Sequence, residues 1–139
     1  MSRKVAVIMI AVIATAAGFL MLEESERNAQ SHTLVSLGAM AYFFGAVLIV
    51  TFEAIRLSEG VQVYSLVVIY VLLALSGQAA IGAGLTQTTS FPQLIGWITL
   101  AWSVMWLIIL PLATPGDVYF PVLQHLMPLI IGVPLLVKG

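Results

Sequence analysis

Four ionisable side chains are spaced to converge at membrane depth in one leaflet: Glu53, Arg56, Tyr64 and His125. A carboxylate beside an imidazole raises the histidine pKa, and the pair can hold or transfer a proton near neutral pH. The competing reading of Glu53 and Arg56 is simpler. They stand three apart at a helix end, the spacing of an ion pair that snorkels to the interface. His125 has its own alternative, a hydrogen bond to a carbonyl that a nearby proline has freed. Trp102 and Trp106, four apart, share a helix face and offer a stacking surface for a flat apolar molecule such as a quinone, carotenoid or chlorin. The plainer account of the two indoles is a bulky ridge facing lipid or a partner.

Other chemistries are poorly provided for. The chain has no cysteine, which removes thiol nucleophiles, thiolate metal sites and disulfide relays together. His32 and His125 fall on opposite sides of the expected bilayer, so a bis-histidine haem would need two chains. No HExxH, GxSxG or glycine-rich phosphate loop is present, which points away from an enzyme and from a metal centre. Glu23, Glu24 and Glu26 cluster beside Arg27, either as a cation site or, more simply, as a solvated acidic turn. Five basic residues and a net charge of −1 exclude a nucleic-acid partner held through basic patches.

The elements that must position these residues follow from composition. Hydrophobic residues make up 61% of the 139 and charged residues 8%, with a mean hydropathy of +1.11, far outside the range of a soluble domain. A bilayer core asks for about 20 apolar residues per helix. Five stretches meet that: 5–22, 33–55, 62–85, 93–113 and 118–137. The spacing predicts an all-α, single-domain membrane bundle of five helices, or four if one segment is re-entrant or cleaved. The first segment has signal-peptide features, with Arg3 and Lys4 before an apolar run and Ala14-Thr15-Ala16 as a cleavage-like site. Apolar residues continue to Leu22, so it reads as a retained helix. Arg3, Lys4 and Arg56 on one side, against Arg27 and Lys138, place the N-terminus in the cytoplasm and the C-terminus outside a cell membrane.

Lipid is as apolar as leucine, so helices in a membrane associate where small residues allow close approach. Such stripes occur at Val7, Ala11, Ala14 and Gly18; at Gly38, Ala41 and Gly45; at Ala74, Gly77 and Gly84; and at Gly96, Thr99 and Ser103. Each marks a helix–helix contact. In the last segment Pro121, His125, Pro128 and Gly132 share one stripe. Pro128 takes away the amide that would bond the Gln124 carbonyl, so another group must satisfy it. Pro128 and Pro134 should also bend the helix. Gln78, deep in the third segment, reads as an interhelical hydrogen-bond donor.

These residues fit first a non-catalytic accessory or assembly subunit of a larger membrane complex, partnered by lipid and by other membrane chains or itself. The alternative is a small oligomeric proton-linked transporter or channel using Glu53 and His125. A third reading is a quinone-, pigment- or lipid-binding membrane protein built around Trp102, Trp106 and His125. No specific cofactor is named by any residue pattern.

Overall fold

The computed structural model describes residues 3–27, 30–113 and 121–138. Among the described residues there are five α-helices: α1 (Arg3–Ser25), α2 (His32–Glu59), α3 (Tyr64–Leu85), α4 (Gln93–Ala113) and α5 (Pro121–Lys138). Every segment expected from hydropathy is a helix. α1 to α4 are each long and apolar enough to cross a membrane, and α5 contributes a shorter apolar stretch, Leu123–Val137. The turn around Pro115, Gly116 and Asp117 lies outside the described residues. α5 runs unbroken through Pro128 and Pro134, so the prolines change its hydrogen bonding without ending it.

Consecutive helices pack pairwise, and α5 closes back against α1, so the five form a ring with α3 also touching α5. Residue size at each seam explains the arrangement. Where α2 crosses α3, Gly38 and Gly77 bring two backbones together: a Cβ added at Gly38 would stand 2.5 Å from the Gly77 carbonyl oxygen. The same seam seats Gly45 against Tyr70 and Gly84 against Val35. On the opposite side of α3, a Cβ at Gly82 would meet the Leu100 amide nitrogen at 2.6 Å, and one at Gly96 the Thr86 amide nitrogen at 2.7 Å. The small-residue stripes of α2, α3 and α4 are therefore contact faces, which is how lipid-embedded helices gain dispersion energy.

The α2–α3 connection is a tight turn. Gly60 adopts φ +68, and its amide donates to the Arg56 carbonyl at 3.1 Å, capping α2. A left-handed residue after a helix is most cheaply a glycine. The core between the helices is aromatic and aliphatic. Phe19 meets Tyr42 edge-on at 4.9 Å between ring centroids, and Tyr42 meets Tyr70 at 6.5 Å. Both tyrosines are fully buried, and the Tyr42 hydroxyl is directed towards Tyr70 and Thr15. Large apolar side chains such as Ile10, Phe44, Leu94, Ile108 and Leu136 cover the outside of the ring. In water that surface would drive aggregation; in acyl chains it is the solvated face.

Candidate functional site

Two features of the bundle bring polar side chains to membrane depth. The first is the junction of α3, α4 and α5. Pro128 has no amide hydrogen, so the Gln124 carbonyl loses its intrahelical partner. The Gln78 side chain supplies the replacement, its Nε2 donating to that carbonyl at 2.6 Å. One residue earlier, the Leu123 carbonyl accepts from Trp102 Nε1 at 3.1 Å. Thr99 directs its hydroxyl to the Met127 sulfur at 3.9 Å. Two helices thus hold the first turns of α5, α3 through a carbonyl that a lone helix would leave unmet in lipid. The need for a partner at the Gln124 carbonyl is written in the sequence, and Gln78 is the residue that meets it.

Around those bonds, Gln78, Ser103 and Gln124 are each fully buried. Gln78 Oε1, Ser103 Oγ and both side-chain atoms of Gln124 have no hydrogen-bond partner in the structure. Ser103 lies one turn along α4 from Thr99, on the face that meets Met127 of α5. Gly82 sits against Gly96 and Leu100, and stepping one turn along each antiparallel helix brings Gln78 level with Ser103.

The second feature is a groove of about 370 Å³ between α1 and α5. Ala14, Thr15, Gly18 and Phe19 form one wall, and His125, Pro128 and Gly132 belong to the other. Nothing lies within 4 Å of a Cβ added at Gly18 or at Gly132. The α1 stripe is therefore not closed against a helix of this chain, unlike its counterparts in α2, α3 and α4. Thr15 donates to the Ala11 carbonyl at 2.8 Å, so towards any other group its hydroxyl can only accept. Both His125 ring nitrogens are buried and have no partner in the structure.

The expected convergence of Glu53, Arg56, Tyr64 and His125 does not form within the chain. Glu53 is buried near the end of α2 and pairs with Arg56 at 2.5 Å, the i, i+3 contact that the spacing allowed. Arg56 also lies over the Phe52 ring, 5.9 Å from its centroid. Tyr64 opens α3 at the same end of the bundle. His125 is elsewhere. Gln78 ties its neighbour Gln124 to the level of Gly77 and hence of Gly38, and Glu53 lies roughly 22 Å further along α2 at 1.5 Å per residue. Moreover, α2 and α5 do not approach one another among the described residues.

Trp102 and Trp106 do share a face, with ring centroids 5.7 Å apart and planes at 68°. The edge-to-face pair is not a flat platform: Trp102 is bonded to α5, while Trp106 lines a groove with Val68, Leu72 and Leu75 of α3. The acidic turn also departs from a uniformly solvated cluster. Glu24 pairs with Arg27 in the open, and Glu23 contacts His32 at 2.9 Å. Glu26, only 3% exposed, accepts from the Thr88 hydroxyl at 2.8 Å and so joins the α1–α2 turn to the α3–α4 loop. No group of three or more metal-ligating side chains is present among the described residues.

Sequence reasoning did not single out Tyr42, Ser103, Gln124 or Thr15 as site groups. The signal for Gln124 was in reach, as the residue whose carbonyl Pro128 frees, but its own amide passed as one more polar side chain. No protein-family model, no curated protein and no solved structure matches this chain.

Proposed function

We propose that this chain is a non-catalytic accessory or assembly subunit of a larger complex in a cell membrane, with its N-terminus cytoplasmic and its C-terminus outside. On this reading the α1–α5 groove receives a transmembrane helix of a partner polypeptide. The observation that carries it is the open small-residue wall. Ala14 and Gly18 stand four apart, the spacing that lets a second helix approach closely, and Gly18 and Gly132 have no neighbour within 4 Å of an added Cβ.

The test uses the open space at Gly18. A leucine there enters the groove, and its Cβ meets nothing of this chain within 4 Å, so docking and folding are separated. Native mass spectrometry of the protein extracted from its own membranes in mild detergent should show stoichiometric association with another polypeptide. Gly18→Leu should lose that association while unfolding at or above the wild-type temperature. A wild-type chain that carries no other polypeptide, or a Gly18→Leu variant that carries it undiminished, overturns the reading.

One observation favours a second reading, a lipophilic small molecule in the same groove. Its otherwise apolar walls present the His125 ring on one side and the Thr15 hydroxyl on the other. A lipophilic molecule with a hydroxyl group, such as a quinol or a lipid hydroxyl, can donate to the Thr15 oxygen, and a bound small molecule in the native spectra would move the assignment there. A proton-linked site made of Glu53 and His125 receives no support from their placement.

A further inference from the structure

We propose that the α3–α4–α5 junction is a binding site for water, held by Gln78, Ser103 and Gln124 within the membrane-spanning part of the bundle. The argument is an inventory of hydrogen-bonding capacity. Gln78 uses one amide hydrogen on the Gln124 carbonyl, and its Oε1 has no partner. Gln124 has neither its Oε1 nor its Nε2 engaged, and Ser103 Oγ is unengaged as well. All three side chains are fully buried, so neither bulk solvent nor lipid headgroups satisfy them.

The unmet groups include both acceptors and donors, and none carries a charge. An ion would find no countercharge among these three side chains, and bringing one to this depth is costly. A ligand that only accepts would leave Gln78 Oε1 unmet, and one that only donates would leave the Gln124 amide hydrogens unmet. Water does both, and buried waters characteristically make two to four hydrogen bonds to groups of this kind. The partners also come from three different helices, which is the arrangement in which a bridging water adds to the packing of all three.

Met127 is the reporter. It lies one helical turn from Gln124, is 2% exposed and contacts the Thr99 hydroxyl through its sulfur. Hydroxyl radicals generated by radiolysis form where water is, and methionine records them as the sulfoxide. The protein in lipid nanodiscs should therefore show Met127 oxidised several-fold faster than Met40 and Met105, both exposed on the lipid side. Ser103→Ala combined with Gln124→Leu should bring Met127 down to the rate of those two.

Wild-type oxidation of Met127 no faster than that of Met40 and Met105 overturns the proposal, and so does an unchanged rate in a folded double variant. A small organic molecule that wild type retains in native mass spectra and the folded double variant loses would overturn the assignment to water. The wild-type comparison decides the question even where the double variant fails to fold.

Discussion

Alanine at Gly38 and alanine at Gly18 should act in opposite directions, and their difference measures the close approach that holds the bundle. At Gly38 a new Cβ meets the Gly77 carbonyl oxygen at 2.5 Å, Ile81 Cγ1 at 2.7 Å and the Ile81 amide nitrogen at 2.9 Å. Ordinary contact begins near 3.4 Å. Two of the three obstacles are backbone atoms of α3, so no side-chain rotation relieves them and α2 must move away by about an ångström. Overpacking of this kind costs about 1–3 kcal/mol. Replacing glycine within a helix returns about 0.5–1 kcal/mol through backbone entropy. Gly38→Ala should therefore destabilise by up to about 2.5 kcal/mol, while Gly18→Ala, meeting nothing within 4 Å, keeps the propensity gain alone. Because that gain is common to both, the difference between the variants is the steric term, about 1–3 kcal/mol. Reversible unfolding by SDS titration from mixed micelles, followed through the three α4 tryptophans, reads both values on one scale. Equal stabilities, within about 0.5 kcal/mol, would refute the claim that glycine pairing holds α2 to α3.

Other perturbations test the polar contacts. Gln78→Leu removes the donor to the Gln124 carbonyl and should cost about 1–3 kcal/mol, read by the same titration. In a Pro128→Ala background α5 regains its own donor, so the same substitution should cost much less; an undiminished cost would deny that the proline creates the need. Glu26→Ala frees Thr88 and should loosen the α3–α4 loop, seen as faster proteolysis within residues 86–92 and a stability loss of about 1–3 kcal/mol. Glu24→Ala, which breaks only an exposed pair with Arg27, should leave stability within about 0.5 kcal/mol of wild type in that titration.

How far the sequence discloses this bundle depends on which physical term it encodes. Helix extent is set by the length of apolar runs, and the five segments match the five helices to within a few residues at most ends. Close helix approach is set by the absence of side chains, so Gly38, Gly77 and Gly96 could be read as contacts. The unmet carbonyl of Gln124 followed from a single proline. Neighbour relations did not follow. All five helices are apolar around most of their circumference, and hydrophobicity does not distinguish a lipid-facing side from a protein-facing one. Depth did not follow either: α5 starts near the level of Gly38, so His125 lies roughly 22 Å along the bundle from Glu53, and nothing in the pattern keeps α2 from α5. Glu26 was misjudged for a related reason: its burial depends on a loop 62 residues away in the chain.

The hydrogen bond from Gln78 to α5 also sets an order for biogenesis. α2 and α3 can associate as soon as both have entered the bilayer, because their contact needs only backbone and small side chains that lipid does not satisfy better. α5 is the last of the five helices to be synthesised, and its Gln124 carbonyl finds its partner only on a helix made some 46 residues earlier. Until then Gln78 presents a bare amide to acyl chains. A nascent chain stopped short of α5 therefore carries a polar flag at membrane depth, and a finished one conceals it. Such a flag is the kind of signal by which a membrane quality-control protease can tell an unfinished bundle from a completed one.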